Sequence, residues 1–311
     1  MKARQKRAFL FSPSDSLAFN VKISAMTTDQ LHPFIFDQSA VRGNHVQLDQ
    51  SLFTALEHQT LPPALKKVIG EFTAASVLLT ATLKMQGKLI LQLQSQGTLQ
   101  LLVVECTSGL NIRATAKVSG ELHGDNLTDW LAQGQLVITL MPEEGEPYQG
   151  IVPLEGDNIA SMLENYMLRS QQIDTRLWLT AEGDRAAGLL LQKLPQQQEH
   201  DLDCWNRVQH LAGTVTDQEL LNLDAVTLLQ RLFVEEEVRL FSGREVQAFC
   251  SCSHSNVTNM LQMLGLAEVR SIIEEQGSVD IQCDFCHKHY VVDEEEALAL
   301  FNEDDDHEVT H

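Results

Sequence analysis

The sequence predicts an α+β protein: an N-terminal, mainly antiparallel sheet domain with helices, then a helical linker, then a small C-terminal four-cysteine domain. Three observations carry this. Between about residues 29 and 195, period-two alternation such as "KLILQLQSQGTLQLLVVECT" is mixed with helical spacing such as "PPALKKVIGEFTAASVLLTATLK". At "PQQQEHD" (195–201) the chain turns polar, and amphipathic helical patterns follow. Finally, "FCSCSHS" (249–255) and "QCDFCHK" (282–288) hold four of the six cysteines.

Taken in order, residues 1–25 are expected to be a poorly ordered leader, and apolar patterning begins near Met26. "FIFDQSAVRGNHVQL" reads as a strand, a glycine turn and a second strand. "SLFTALEHQ" has helical spacing, and the long helix that follows starts after a proline pair. "NIRATAKVSGEL" continues the alternating strands, and a short helix precedes the strands of "LTDWLAQGQLVITLMPEEGEPYQGIVPL". "DNIASMLENYMLRSQQI" is an amphipathic helix opening on Asp or Asn as cap, before the closing strands "TRLWLTAE" and "AAGLLLQKL". The first domain is thus expected over 26–195.

A linker is expected over 196–248. "DLDCWNRVQHLAGTV" and "TDQELLNLDAVTLLQRLF" each read as a helix, the second with Thr216 and Glu219 in capping-box spacing. Leu220, Leu221, Leu223, Leu228, Leu229, Leu232 and Phe233 are too apolar to stay in water, yet too few for a core of their own. Such a segment folds only against a neighbour. The cysteine domain is expected over 249–301, ending on the helix "DEEEALALF", with an acidic tail at 302–311.

Composition removes several function classes. With 22 Lys and Arg against 43 Asp and Glu, the formal charge of −21 disfavours a nucleic-acid partner. No apolar run approaches the roughly 18 residues of a membrane helix. The leader does not read as an export signal, because Ser-Pro-Ser-Asp interrupts its apolar part. A cytoplasmic, reducing location is the expectation, and there clustered thiols more often bind metal than staple a fold.

Cys250 and Cys252 form C-x-C, and Cys283 and Cys286 form C-x-x-C. A tetrahedral Zn2+ site takes four such thiolates, and residues 253–282 supply two short helices and a strand to bring the halves together. Permanent disulfides are the alternative reading. His254, His287 and His289 lie nearby and are expected to be polar residues beside the site. Four thiolates close the metal's coordination shell, and we find no catalytic motif, so an enzyme is not expected. What remains is a structural staple or a redox switch, and the spacing permits the switch without requiring it. Cys106 in "LLVVECT" reads as a small core or edge residue; Cys204, beside Trp205, reads as a partly buried thiol or a secondary oxidation target.

Further segments are specific. "FDQSAVRG" (36–43), "LLTATLK" (78–84), "ITLMPEEGEPYQGIVPLEGD" (138–157), "YMLRSQQIDTRLWL" (166–179), "AAGLLLQ" (186–192) and "RLFVEEEV" (231–238) precede C-x-C and C-x-x-C in this order. In these the chain resembles the redox-regulated 33-kDa heat-shock chaperones, the 33 kDa chaperonin family, from about Met26 onward. The resemblance implies an ATP-independent holdase for unfolding client proteins. Reduced, it would hold one Zn2+ per chain through Cys250, Cys252, Cys283 and Cys286 and be inactive. Oxidation would link Cys250 to Cys252 and Cys283 to Cys286, release the metal, unfold the linker and favour a homodimer. The leader before Met26 has no counterpart in the family pattern, and Cys106 and Cys204 lie outside the motif.

Overall fold

In the computed structural model, residues 28–301 are described, apart from 38, 125–126, 157, 196–200 and 202. The expected leader and acidic tail, and most of the polar break at 195–201, therefore lie outside the described residues.

The first half alternates hairpins with helices. It runs β1 (Gln30–Phe36), β2 (Val41–Leu48), α1 (Gln50–Leu56), α2 (Pro63–Thr80), β3 (Gly87–Gln94), β4 (Leu99–Thr107) and β5 (Asn111–Val118). After a short 3-10 turn at Leu127–Trp130 come β6 (Gln135–Pro142), β7 (Tyr148–Val152), α3 (Ile159–Gln171), β8 (Thr175–Glu182) and β9 (Arg185–Lys193). Pro62 and Pro63 open α2, where a missing amide donor costs nothing. From Phe72 to Thr80 every residue of α2 is buried, because the helix packs against strands of both large sheets. It stops at Thr80, short of the Lys84 reached by the apolar pattern: Thr82 turns back, its amide and hydroxyl both donating to the Leu79 carbonyl at 2.9 and 2.7 Å. The Asn of the expected Asp or Asn cap does start α3, with Asn158 and Ser161 in a reciprocal capping box.

The expected glycine turn is not where the chain reverses. Gly43 is not the turn between β1 and β2; it lies within β2, opposite Phe34 of β1 and Leu191 of β9. A Cβ there would stand 2.1 Å from the Phe34 ring, so the glycine exists to let that ring lie across the strand. The chain turns earlier, around Asp37 and Ser39.

The second half runs α4 (Cys204–Ala212), α5 (Asp217–Asn222), α6 (Ala225–Leu232), β10 (Val238–Leu240), β11 (Arg244–Glu245) and β12 (Gln247–Ala248). The pattern expected as one helix over 216–233 is thus two. Asp224 accepts from the Thr227 amide at 3.0 Å and starts α6 afresh, while Thr216 and Glu219 form the expected capping box of α5. The chain ends in α7 (His254–Leu264), α8 (Leu266–Gln276), β13 (Ser278–Gln282), β14 (His289–Asp293) and α9 (Glu294–Ala299).

Two large sheets result. The first has the order β10-β1-β2-β9-β8, with β11 also on β1, and the second β12-β5-β4-β3-β6-β7; β13 and β14 form a small third. The pairings are antiparallel except β12 on β5. The first sheet is covered on both faces. Leu31, Val46, Leu48, Ala186 and Leu190 point into the main core around α2. The alternate residues Phe34, Phe36, Val41, Ala187, Leu189 and Leu191 point the other way, against Cys204, Val208 and Ala212 of α4, Leu220 and Leu221 of α5, and Leu228, Leu229, Leu232 and Phe233 from α6 onward. That explains why β9 is buried from Ala186 through Gln192 with no polar stripe. The helices α4, α5 and α6 cover this second face.

Candidate metal centre

The four cysteines of the two motifs converge. The sulfurs of Cys250, Cys252, Cys283 and Cys286 all lie within 4.8 Å of one another, with Cys250–Cys283 at 3.6 Å and Cys252–Cys286 at 3.3 Å. A tetrahedron with Zn–S near 2.3 Å has edges of about 3.8 Å, so the donors are of the right kind and spacing for that ion.

Local chemistry places each pair. Ser253 caps α7 by accepting from the Asn256 amide at 3.2 Å, and the Asn256 side chain donates to the Ser251 carbonyl at 2.9 Å. That bends the C-x-C segment where it enters the helix. On the other side, the Cys283 amide donates to the Lys288 carbonyl at 3.0 Å and the His287 amide to the Cys283 carbonyl at 2.9 Å. His287 adopts φ 53°, a left-handed conformation that closes the tight turn bringing Cys283 and Cys286 together.

The surroundings bias the cluster. Burial, and then the neighbouring sulfurs, push the Cys286 thiol up to about 12. Four adjacent thiolates are unfavourable by themselves, which is the donor set a divalent cation resolves. The Tyr290 hydroxyl donates to the Cys252 sulfur at 3.1 Å. The Arg113 guanidinium lies 4.1 Å above the Phe285 ring, with Nη1 3.5 Å from the Ser251 hydroxyl and 4.0 Å from the Cys250 sulfur. Lys117 pairs with Asp284 at 3.1 Å.

The three nearby histidines stand outside the cluster, as expected. His254 faces Glu296 at 3.3 Å, His289 faces Asp280 at 3.0 Å, and His287 makes the turn. Cys106 is fully buried in β4, its thiol pushed up to about 12 by burial, and Cys204 is buried in the linker interface, where burial also raises its thiol. Sequence reasoning missed Arg113, Phe285 and Tyr290 as neighbours of the site. Tyr290 is legible as an inward residue of an alternating strand, but nothing local connects Arg113 to a cysteine so far away in the chain.

A family profile described as Hsp33 protein matches residues 29–293. The chain belongs to the Hsp33 family. Within it, the 33 kDa chaperonin of Methylobacillus flagellatus is 53% identical over 277 residues, spanning 88% of this chain and 94% of its own. That of Chromobacterium violaceum is 48% identical over 279 residues, spanning 89% and 95%. The crystal structure of the 33 kDa chaperonin (Heat shock protein 33 homolog) from Thermotoga maritima superposes with a TM-score of 0.75, covering 89% of this chain and 99% of that one. At 21% identity it shows that the Hsp33 fold is shared. No described helix is long and apolar enough to cross a membrane.

Proposed function

We propose that this protein is a redox-regulated, ATP-independent holdase of the cytoplasm, inactive while Cys250, Cys252, Cys283 and Cys286 hold one Zn2+. The observation that carries the reading is the placement of the linker. Its helices cover an apolar sheet face of a chaperone-family protein, and its downstream end runs into the four-cysteine cluster. Bound there, the ion supplies a cross-link between two cysteine pairs whose own core is small: Val257, Leu261, Val269, Ile273, Val279, Tyr290, Val292 and Ala297.

Oxidation removes the cross-link. A cysteine thiolate attacks one oxygen of peroxide, becoming a sulfenic acid as the other oxygen leaves and takes up a proton to form water. The adjacent thiol then attacks that sulfur, closing S–S and expelling a second water. Each thiol pair passes two electrons to one peroxide as its disulfide forms, so Cys250–Cys252 and Cys283–Cys286 together consume two peroxides. Neither disulfide retains a thiolate for the ion, and the small domain loses its support. The linker follows, exposing Phe34, Phe36 and Leu189 together with its own Leu228, Leu232 and Phe233. Exposed apolar area of this kind binds unfolding clients and favours self-association into a dimer. The acidic surface leaves nucleic acid and anionic membranes outside the partner set. We assign no catalytic residue and no enzymatic activity.

The experiment follows light scattering of an aggregating client enzyme with this protein added, either reduced and zinc-loaded or treated with peroxide at mild heat. A chelating dye reads zinc in the same samples. Suppression only after treatment, with about one zinc lost per chain, is expected. Equal behaviour of both samples with zinc retained would reduce the cluster to a structural staple.

A further inference from the structure

We infer that Arg113 is a positioning residue that clamps the two cysteine pairs to the edge of the second sheet and thereby sets how readily they come apart. The inference rests on the redox-switch reading above and adds a residue to it.

The second sheet ends in the two-residue β12 beside β5, and both cysteine segments meet β5 on that side. On the C-x-C side, β12 pairs in parallel with the start of β5, and the Phe249 amide donates to the Ile112 carbonyl at 3.0 Å. The backbone approaching Cys250 is therefore tied to the residue before Arg113. On the C-x-x-C side no such backbone tie is present among the described residues; the contacts to β5 are the Phe285 ring beneath Arg113 and the Asp284–Lys117 pair. The Lys117 pair is more than half exposed at both ends and contributes little.

Arg113 has a different character. Its Nε and Nη2 both donate to Glu105, at 3.0 and 2.8 Å, and Glu105 is also paired with Lys88 at 3.2 Å. The Arg113 side chain is only 21% exposed. With its inner edge fixed, the remaining Nη1 is aimed at Ser251 and the Cys250 sulfur, and its flat face lies on Phe285. A guanidinium can make a fork to a carboxylate, donate outward and stack on an aromatic at once, which an ammonium cannot. One side chain thus contacts both cysteine segments, Cys250 and Ser251 on one side and Phe285 on the other, and its full set of partners exists only while they lie together. Separation of the pairs would strip Arg113 of one side, leaving the short β12 pairing as the tie between β5 and the linker's end.

The test uses full-length zinc-loaded protein: wild type, R113A, R113K and F285A. Two readouts are taken without oxidant: zinc transfer to a chelating dye, and hydrogen exchange of residues 247–252 and 283–288. R113A is expected to release zinc about tenfold faster, the scale of a lost charge-assisted bond plus a cation–π contact. Exchange should rise in both segments. R113K, which keeps charge but not fork or stacking, should fall between. F285A leaves β5 intact, so its acceleration separates clamping from damage to the sheet. Wild-type rates and exchange in R113A and F285A would overturn the clamp. If wild type binds no zinc, the switch reading falls, and the exchange of 247–252 in R113A still decides the clamp.

Discussion

The ring of Phe233 meets that of Phe36 edge-on, with centroids 5.0 Å apart and planes at 84°. Phe34 completes the group, 5.8 Å from Phe36 and 6.3 Å from Phe233. Two of these rings belong to β1 and the third follows α6, so this cluster joins linker to sheet by apolar contact alone. Gln47 adds a polar tie, donating to the carbonyls of Leu220 and Leu223 at 3.1 and 2.8 Å. Every part of that joint is local to the sheet face, yet the proposed trigger sits at the linker's far end.

Phe233→Ala should therefore uncouple lid from trigger. Truncating a fully buried Phe costs about 3–5 kcal/mol, more than a marginal linker can lose. The reduced, zinc-loaded variant is expected to suppress client aggregation without oxidant, read by light scattering, while retaining its metal. A variant that stays silent until oxidised would place the hold on the linker elsewhere.

Cys204 offers a built-in reporter of the lid. It is buried against the sheet, whereas the cluster cysteines are half-buried. Alkylation of the native reduced protein should leave Cys106 and Cys204 unmodified, and oxidation should make Cys204 reactive while Cys106 stays protected. Mass spectrometry of the modified peptides checks this. Since a covered thiol does not sense oxidant first, Cys204→Ser should leave the oxidant dose-response unchanged.

Acid has two opposed effects on this interface. His45 lies fully buried under the linker beside His32, with neither ring nitrogen partnered among the described residues, and burial pulls it down to about 3. Unfolded it would titrate near 6.5, so it supports folding above that pH and withdraws support, by about 1.4 kcal/mol per unit, as pH falls from 6.5 towards 3. Asp224 tempers this by favouring the charged imidazole. Glu71, near Asp217 of α5, is pushed up to about 7 by burial; it opposes folding above that pH, and the opposition is relieved as pH falls from 7 towards its ordinary 4.5. Chemical denaturation between pH 7 and 5 should therefore show a nearly flat wild type. His45→Leu should gain stability on acidification and Glu71→Gln should lose it. Parallel curves for all three would remove both groups from the account.

Metal removal should act on one region. The C-terminal core is small, so a strong chelator under reducing conditions is expected to raise hydrogen exchange across α7, α8 and β13–β14 while α2 and β3–β6 stay protected. Uniform protection after chelation would show a domain that folds without its ion.

How far the sequence reaches can be seen at particular residues. Alternation located β3 to β6, and the proline pair marked where α2 begins, because both signals are local. The two cysteine pairs were legible for the same reason, because each is close in sequence, and the structure brings all four sulfurs together. Gly43 was misplaced because a glycine in a strand and one in a turn look alike until Phe34 is seen lying across it. The break at Asp224 was hidden because apolar residues at helical spacing continue on both sides of it. The short strands β10 to β12 carry too few residues to show a period, and their partners β1 and β5 are far away in the chain. Arg113 belongs to that class: its role comes from what folding brings above and below it.

On the proposed reading the cysteine cluster holds the linker on the sheet. The most direct measurement is hydrogen exchange of residues 204–233 in the full-length protein, reduced and zinc-loaded, then after peroxide at mild heat with zinc release followed in parallel. Strong protection is expected before treatment and is lost together with the metal, while β2 and β9 remain protected on the core side. Protection of 204–233 that survives zinc release would contradict that reading.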